Sequence, residues 1–364
     1  MKRTSFRSIA APAIATAAVL SLAACGASNE NASGDAGANI TGDINGGGAS
    51  SQEKAQEAWA VGFQGKNAEA VVNYQSIGSG DGRKRFIEGG TLFAGTDSYL
   101  KDDEGELSAA KERCGGTDPI EVPAYISPIA VIYNVDIEGL KLSGDTIAQI
   151  FDGKIKTWND PAIAADNEGV ELPSTKITPV HRSDDSGTTK NFTDYLGKAT
   201  KSWSHEAEDA WPAKGGLGAE GTSGVVSAVK NAKGAIGYAD ASQTGDLKQV
   251  AVKVGESYVD PSAKAAAKVI AVSPRVEGRP DVDMAVDVDR TTTEEGTYPI
   301  ILASYLVACQ QYDSAEDAEK TKAYLSYVLS EEGQDTAAKE AGSAQLDAET
   351  RDAALAIVDK IAAK

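Results

Sequence analysis

Three short stretches rich in glycine and hydroxyl residues each stand ahead of a run with helical spacing. They are Gly46-Gly47-Gly48-Ala49-Ser50-Ser51, Ile77-Gly78-Ser79-Gly80-Asp81-Gly82 and Asp184-Asp185-Ser186-Gly187-Thr188-Thr189. The second and third also follow apolar runs with strand character, Val71-Val72-Asn73-Tyr74-Gln75 and Lys176-Ile177-Thr178-Pro179-Val180. Strand, polar turn and helix in repetition imply an α/β sheet whose ligands gather at the carboxyl ends of its strands. The first N–H groups of each helix lack partners and carry the positive end of the helix dipole, so such a turn suits phosphate, sulfate or a carboxylate. Arg182, just ahead of the third stretch, adds a planar cation that takes two oxygens at once. Alone, Asp185 or Ser186 reads as the cap of a surface helix. Three such turns together point to an oxyanion site.

The length, 364 residues, suits two domains, and 41% apolar composition is that of an ordinary globular protein. The net charge is −19, and without Lys2, Arg3 and Arg7 of the N-terminal segment it is −22. That excludes nucleic acid as the natural partner. An anionic ligand meets a repulsive long-range field, screened beyond roughly 8 Å at physiological salt, so local dipoles and hydrogen bonds must hold it. Residues 1–24 combine a basic start with an apolar stretch from Ile9 to Leu22, too short for a comfortable span, and read as an export signal. Leu22-Ala23-Ala24-Cys25-Gly26 resembles a bacterial lipobox, in which Cys25 becomes the lipidated N-terminus; the alternative is an ordinary cleavage site abutting a cysteine. Residues 25–39 are nearly free of apolar bulk and read as a flexible tether of roughly 20 Å. Cys114 and Cys309 then remain as an even pair in an exported chain, either a disulfide or two buried thiols.

The folded body is expected to begin near Ile40. Gln52 to Gln64 reads as the first helix, Arg83 to Gly89 as part of a second starting at the Gly78 turn, and Thr91 to Asp97 as a strand ending on an acid. Tyr125 to Asn134 is the longest apolar run in the middle of the chain; Pro128 predicts an edge or crossover segment rather than a central strand. Ser143 to Ile150 predicts a helix, followed by a turn and Trp158 as a surface aromatic. Val225 to Ala232 predicts a helix feeding the strand Gly234 to Tyr238; Gln249 to Val254 and Tyr298 to Val307 predict further strands. Asp317 to Leu329 and Ala348 to Ile361 predict closing helices.

Several other patterns carry less. Gly216-Leu217-Gly218-Ala219-Glu220-Gly221 matches G-x-G-x-x-G, but no apolar strand delivers the chain to it, and a loop ahead of the Val225 helix is the better reading. Asp281, Asp283, Asp287 and Asp289 alternate with valines as on a strand with a solvated acidic face, without the spacing of a calcium loop. Two histidines, His181 and His205, are thin support for a zinc site or a Ser-His-Asp triad. His181 reads as a packing or hydrogen-bonding neighbour of Arg182. No metal or cofactor is expected.

The Ser50 turn, Ile77-Gly78-Ser79, Thr96-Asp97, Gly153-Lys154-Ile155 with Trp158, Arg182 through Thr188, and Gly234-Ala235-Ile236-Gly237-Tyr238 occur in an order that resembles the substrate-binding protein of the phosphate ABC importer. The lipobox and the first turn are similar to those of actinobacterial members. The resemblance implies a two-lobed α/β fold of the periplasmic-binding-protein type II, its cleft between lobes joined by crossover strands and closed by a hinge. On it we divide the body into lobe I, 40–125 and 266–364, and lobe II, 126–265. It further implies that lobe I offers phosphate the hydroxyl of Ser50, the N–H of Ser51, the hydroxyl of Ser79 and the carboxylate of Asp97. Lobe II offers Arg182, Ser186, Gly187 and Thr188, with Asp184 orienting Arg182. Many members have Thr-Phe where this chain has Ser50-Ser51, so a hydroxyl survives and an apolar wall does not.

The chemistry of Asp97 favours one ligand. Phosphate near neutral pH keeps a proton that an ionised carboxylate can accept. Sulfate has none, and sites built around one such hydrogen bond reject the analogue lacking it by about 10⁴ to 10⁵. The expectation is a monomeric, lipid-anchored, extracytoplasmic phosphate receptor that delivers its ligand to the membrane permease of an ABC importer. A receptor for sulfate or molybdate, a secreted phosphohydrolase and a structural surface lipoprotein are the alternatives.

Overall fold

The computed structural model describes residues 40–102 and 105–364. The expected signal segment, lipidated Cys25 and tether lie outside the described residues. No described helix is long and apolar enough to cross a membrane.

The chain opens with β1 (Thr41–Gly48), α1 (Glu53–Lys66), β2 (Glu69–Ser76), α2 (Ser79–Ile87), β3 (Phe93–Thr96), α3 (Glu106–Arg113) and the long β4 (Ile120–Tyr133). It continues through β5 (Lys141–Leu142), α4 (Gly144–Phe151), α5 (Pro161–Asp166), β6 (Thr178–Arg182), α6 (Gly187–Ala199), β7 (Leu217–Ala219), α7 (Gly221–Asn231) and β8 (Ala235–Asp240). Then come β9 (Lys248–Gln249), β10 (Ala251–Val254), β11 (Ser257–Val259), α8 (Ala263–Val272), β12 (Ile301–Ala308), β13 (Gln311–Tyr312), α9 (Ala315–Leu329), α10 (Glu331–Ala341), α11 (Ala348–Val358) and β14 (Ala362–Ala363). The main sheet has the order β2-β1-β3-β12-β4-β8-β6-β7, with β9 also on β4. β1, β2 and β3 are parallel, as are β6, β7 and β8. β12 and β4 run antiparallel to their neighbours and join the two parallel groups.

β4 is therefore the seam of the molecule, and here the expectation from Pro128 needs correcting. The strand is central and buried along its whole length. Its first part pairs with β12 as far as Pro128 opposite Ile301, and from Ile129 onward it pairs with β8. Pro128, which has no N–H to give, stands where the partner changes, so no regular ladder bond is lost.

The first glycine turn is also corrected. Gly46, Gly47 and Gly48 belong to β1 rather than to a turn. Glycine is needed because neighbours occupy the side-chain positions. A Cβ on Gly46 would lie 2.2 Å from the Phe93 ring, and one on Gly48 would lie 1.9 Å from the Gly95 carbonyl oxygen. The turn is confined to Ser50–Gln52.

Three further expectations change. Trp158 is fully buried rather than a surface aromatic, because its indole N–H donates to the Gly234 carbonyl at 3.1 Å. Residues 281–289 form no strand, and Asp283 turns inward to pair with Arg279, which also holds buried Glu121 at 3.0 Å. One guanidinium thus serves two buried acids. Burial and the charge of Asp283 push the Glu121 carboxyl well up. The Gly216–Gly221 stretch is not wholly loop, since Leu217–Ala219 adds a short edge strand beside β6. α10 was not foreseen; its polar sequence hides a face that buries Gly333, Gln334, Ala337 and Ala341. The sulfurs of Cys114, after α3, and Cys309, after β12, stand 2.03 Å apart.

Candidate functional site

Every residue of the body predicted to touch the anion lies at the carboxyl end of a strand or at the start of the helix that follows. The Ser50–Gln52 turn follows β1 and leads into α1. Ser79 opens α2 behind Gly78, whose φ of 92° favours glycine. Gly187 opens α6, and the Ser186 hydroxyl caps it by accepting from the Thr189 N–H at 3.2 Å. The capping reading of Ser186 and the site reading are compatible, since a capped helix start still aims its first N–H groups outward.

Asp97, just past β3, is 3% exposed and is the centre of the arrangement. Its carboxylate accepts from Ser51 Oγ at 2.7 and 2.8 Å, from Ser304 Oγ at 2.6 Å and from Thr188 Oγ1 at 2.8 Å. Its N–H donates to Ser79 Oγ at 3.1 Å, and its carbonyl accepts from Asn191 Nδ2 at 2.6 Å. Burial pushes the Asp97 carboxyl up; the hydroxyls of Ser304, Ser51 and Thr188 and the charge of Arg182 oppose burial without overcoming it. All three direct donors to the carboxylate are neutral.

The nearby cation is committed elsewhere. Arg182, at the end of β6 and 3% exposed, donates through Nε to Asp184 Oδ1 at 2.7 Å and through Nη2 to Asp184 Oδ2. Asp184 Oδ1 also accepts the Gly221 N–H at 3.0 Å. Burial pushes the Asp184 carboxyl up, but the hydrogen bonds and charge of Arg182 outweigh it and hold the group below the usual carboxylate range. The guanidinium is fixed in plane, with Nη1 left over for a ligand.

Close approach of the parts depends on Gly187. A Cβ there would lie 2.7 Å from Asp97 Cβ and 2.8 Å from both Ser79 Oγ and the Ser98 nitrogen. His181 does no proton chemistry that the geometry supports. Its ring stacks on Trp211 at 4.9 Å, and Nδ1 lies 2.8 Å from the Arg182 carbonyl oxygen.

The structure also brings in residues that the sequence reading missed. Thr222, at the start of α7, donates its N–H to Ser50 Oγ at 3.1 Å and lies 2.9 Å from it through Oγ1. Gly221-Thr222 repeats the Gly187-Thr188 pattern, which was the available signal. Ser304 is a small hydroxyl inside the otherwise apolar run of β12, a weaker signal. Gln243 donates to the carbonyls of Ser50 and Ser51 at 2.7 and 3.1 Å, and nothing local in the sequence announces it. Ser51, expected to offer its N–H, also gives its hydroxyl to Asp97. Among the described residues no acidic, histidine and cysteine cluster has the makings of a metal site. The arrangement suits a tetrahedral oxyanion that still carries a proton, with helix N-termini and Arg182 for its charge and Asp97 for its hydrogen.

A sequence profile described as the PBP superfamily domain matches residues 33–332. Phosphate-binding protein PstS 2 of Mycobacterium tuberculosis is 32% identical over 89% of this chain and 90% of its own length. Phosphate-binding protein PstS of Pasteurella multocida is 36% identical over 78% and 80%. The chain belongs to the phosphate-binding-protein family of the PBP superfamily. A high-affinity periplasmic phosphate-binding protein bound with phosphate superposes with a TM-score of 0.71, at 21% identity over 86% of this chain and 93% of that one. The phosphate-binding protein from Stenotrophomonas maltophilia gives 0.70 at 21% identity, with the same coverage. The fold of this family member is thus the two-lobed α/β fold of the periplasmic-binding-protein type II.

Proposed function

We propose that the chain binds inorganic phosphate outside the cytoplasmic membrane and delivers it to the permease of an ABC importer. The observation that carries this reading is Asp97, a buried carboxylate whose donors among the described residues are neutral hydroxyls, facing helix starts and Arg182. A site for a fully ionised anion gains nothing from an acid there, whereas a protonated phosphate gains an acceptor. In this reading Ser50, Ser51, Ser79 and Asp97 hold the anion from lobe I, and Arg182, Ser186, Gly187 and Thr188 hold it from lobe II. The lobes are 40–125 with 266–364, and 126–265, hinged where β4 exchanges β12 for β8.

The relatives are named as binding proteins, and we read this chain likewise as a monomeric receptor without catalytic turnover. Export, lipidation at Cys25 and a disulfide between Cys114 and Cys309 complete the proposal. Equilibrium dialysis of ligand-stripped protein against labelled phosphate, with sulfate and molybdate as competitors, tests it. One site per chain, resistant to both competitors, is expected. Displacement by sulfate would move the protein to another oxyanion class, and release of phosphate from an ester substrate would restore the hydrolase. Alkylation of unreduced, unfolded protein should label neither Cys114 nor Cys309.

A further inference from the structure

Residues 201–216, between α6 and β7, contain no helix or strand. Two tryptophans nonetheless anchor them to the second half of the molecule. Trp203 is buried, and Trp211 stacks on His181, 5.7 Å from the Trp203 ring and 5.9 Å from those of Phe151 and Tyr238. Between these anchors Asp209 reaches the other way. Its carboxylate accepts from Arg83 Nη2 in α2 at 2.5 Å and from Ser98 Oγ at 2.8 Å. Arg83 further donates to Glu106 at 2.9 Å, Thr96 at 3.1 Å and Ser98 at 3.0 Å. Meanwhile the Asp209 carbonyl accepts the Ser186 N–H at 3.0 Å. One residue therefore joins the residues flanking Asp97 to the cap of α6.

We propose that Asp209 is a positioning residue that latches the two halves together and so sets how long a bound anion is held. This rests on the two-lobed, phosphate-binding reading above. The side chains of Arg83 and Asp209 are 5% and 12% exposed, so water screens their attraction little. Burial alone would raise the Asp209 carboxyl, but the charge of Arg83 outweighs it and the net shift is downward. Opening does not strand Arg83, which keeps Glu106, Thr96 and Ser98 on its own side. Asp209, between exposed Glu208 and Ala210, returns to water. A buried pair that leaves one uncompensated charge is strongly destabilised on breaking. Here neither partner is left so, which makes the latch reversible.

The test compares wild type with Asp209→Asn, which keeps the side-chain shape and the main-chain bond to Ser186. Stopped-flow release and calorimetry should show phosphate leaving about tenfold faster and Kd rising by the same factor, within the usual 5- to 150-fold range of coupling between linked equilibria. Association rate and discrimination against sulfate should be unchanged. Asp209→Glu should restore part of the slow release. A merely structural role would lower the melting temperature and leave the release rate alone. Small-angle scattering of ligand-stripped protein supplies a second arm, in which Asp209→Asn should show the larger radius of gyration. Unaltered release from a variant of a phosphate-binding wild type overturns the latch. Should wild type bind no phosphate, the functional reading fails by itself; scattering then decides the latch, and an unchanged radius of gyration overturns it.

Discussion

Asp97 and Asp184 belong to the same buried site, one from each half of the sheet, and their surroundings drive them in opposite directions. Asp97 meets three neutral hydroxyls and is pushed up by burial. Asp184 meets a guanidinium through two bonds and is held down. In the proposed phosphate site the difference separates two uses of a carboxylate near an anion. Neutral donors orient Asp97 while leaving it able to accept a ligand proton. Asp184 is spent on Arg182, whose plane it fixes and whose charge it partly offsets.

Removing Arg182 should break the comparison most severely. Arg182→Ala leaves Asp184 buried without its cation, and loss of one partner of a buried pair costs about 3–5 kcal/mol. Phosphate affinity measured by calorimetry should fall at least about a hundredfold, and Asp184→Asn in the same background should recover part of the lost melting temperature.

A third acid sharpens the contrast on the side of Asp97. Asp240, fully buried at the end of β8, accepts from the Tyr125 hydroxyl at 3.0 Å and the Ser242 N–H at 2.9 Å, while Oδ2 has no partner among the described residues. Burial pushes its carboxyl up to about 6. The folded protein therefore holds this proton more tightly than the unfolded chain. Its stabilising contribution is full below about pH 4 and is lost as pH rises through about 6, on the order of 3 kcal/mol in all at 1.36 kcal/mol per unit. Thermal melts from pH 4 to pH 7 should show wild type losing stability relative to Asp240→Asn across that window.

Smaller effects should follow at the partners. Asp184→Asn keeps the shape but loosens the bonds that fix the Arg182 plane, and calorimetry should show phosphate affinity lowered by about 1.5–3 kcal/mol, the scale of a hydrogen bond to a charged group. Ser304→Ala removes one of three hydroxyls from Asp97 and should cost about 1 kcal/mol of affinity. It should also raise the Asp97 carboxyl further, which a pH titration of binding would detect as an upward shift.

The same contrast explains what was legible in the sequence. Ser79, Asp97 and the Arg182–Thr188 box could be read because strand, glycine turn and helix are local patterns. The strands they implied start two residues away from those observed, and α2 and α6 begin at the turns expected for them. Gly46 to Gly48 misled, because glycine in a row reads as a turn unless the Phe93 ring and the Gly95 carbonyl that fill its side-chain space are known. Ser304, Gln243, Asn191 and Asp209 were illegible for another reason. Their partners lie far away in sequence, Ser304 being 207 residues from Asp97, and only the closure of the sheet brings them together. Asp283 misled for a different reason: alternation with valine suggested a wet face, whereas Arg279, only four residues back, draws the acid inward while also holding buried Glu121.

The most direct measurement is titration calorimetry of ligand-stripped wild type and Asp97→Asn, each with phosphate and then with sulfate. Tight one-to-one phosphate binding by wild type is expected, with no sulfate heat, and discrimination in the variant should fall from about 10⁴ or more toward parity. Sulfate binding by wild type comparable to that of phosphate, or unchanged discrimination in Asp97→Asn, would contradict this expectation.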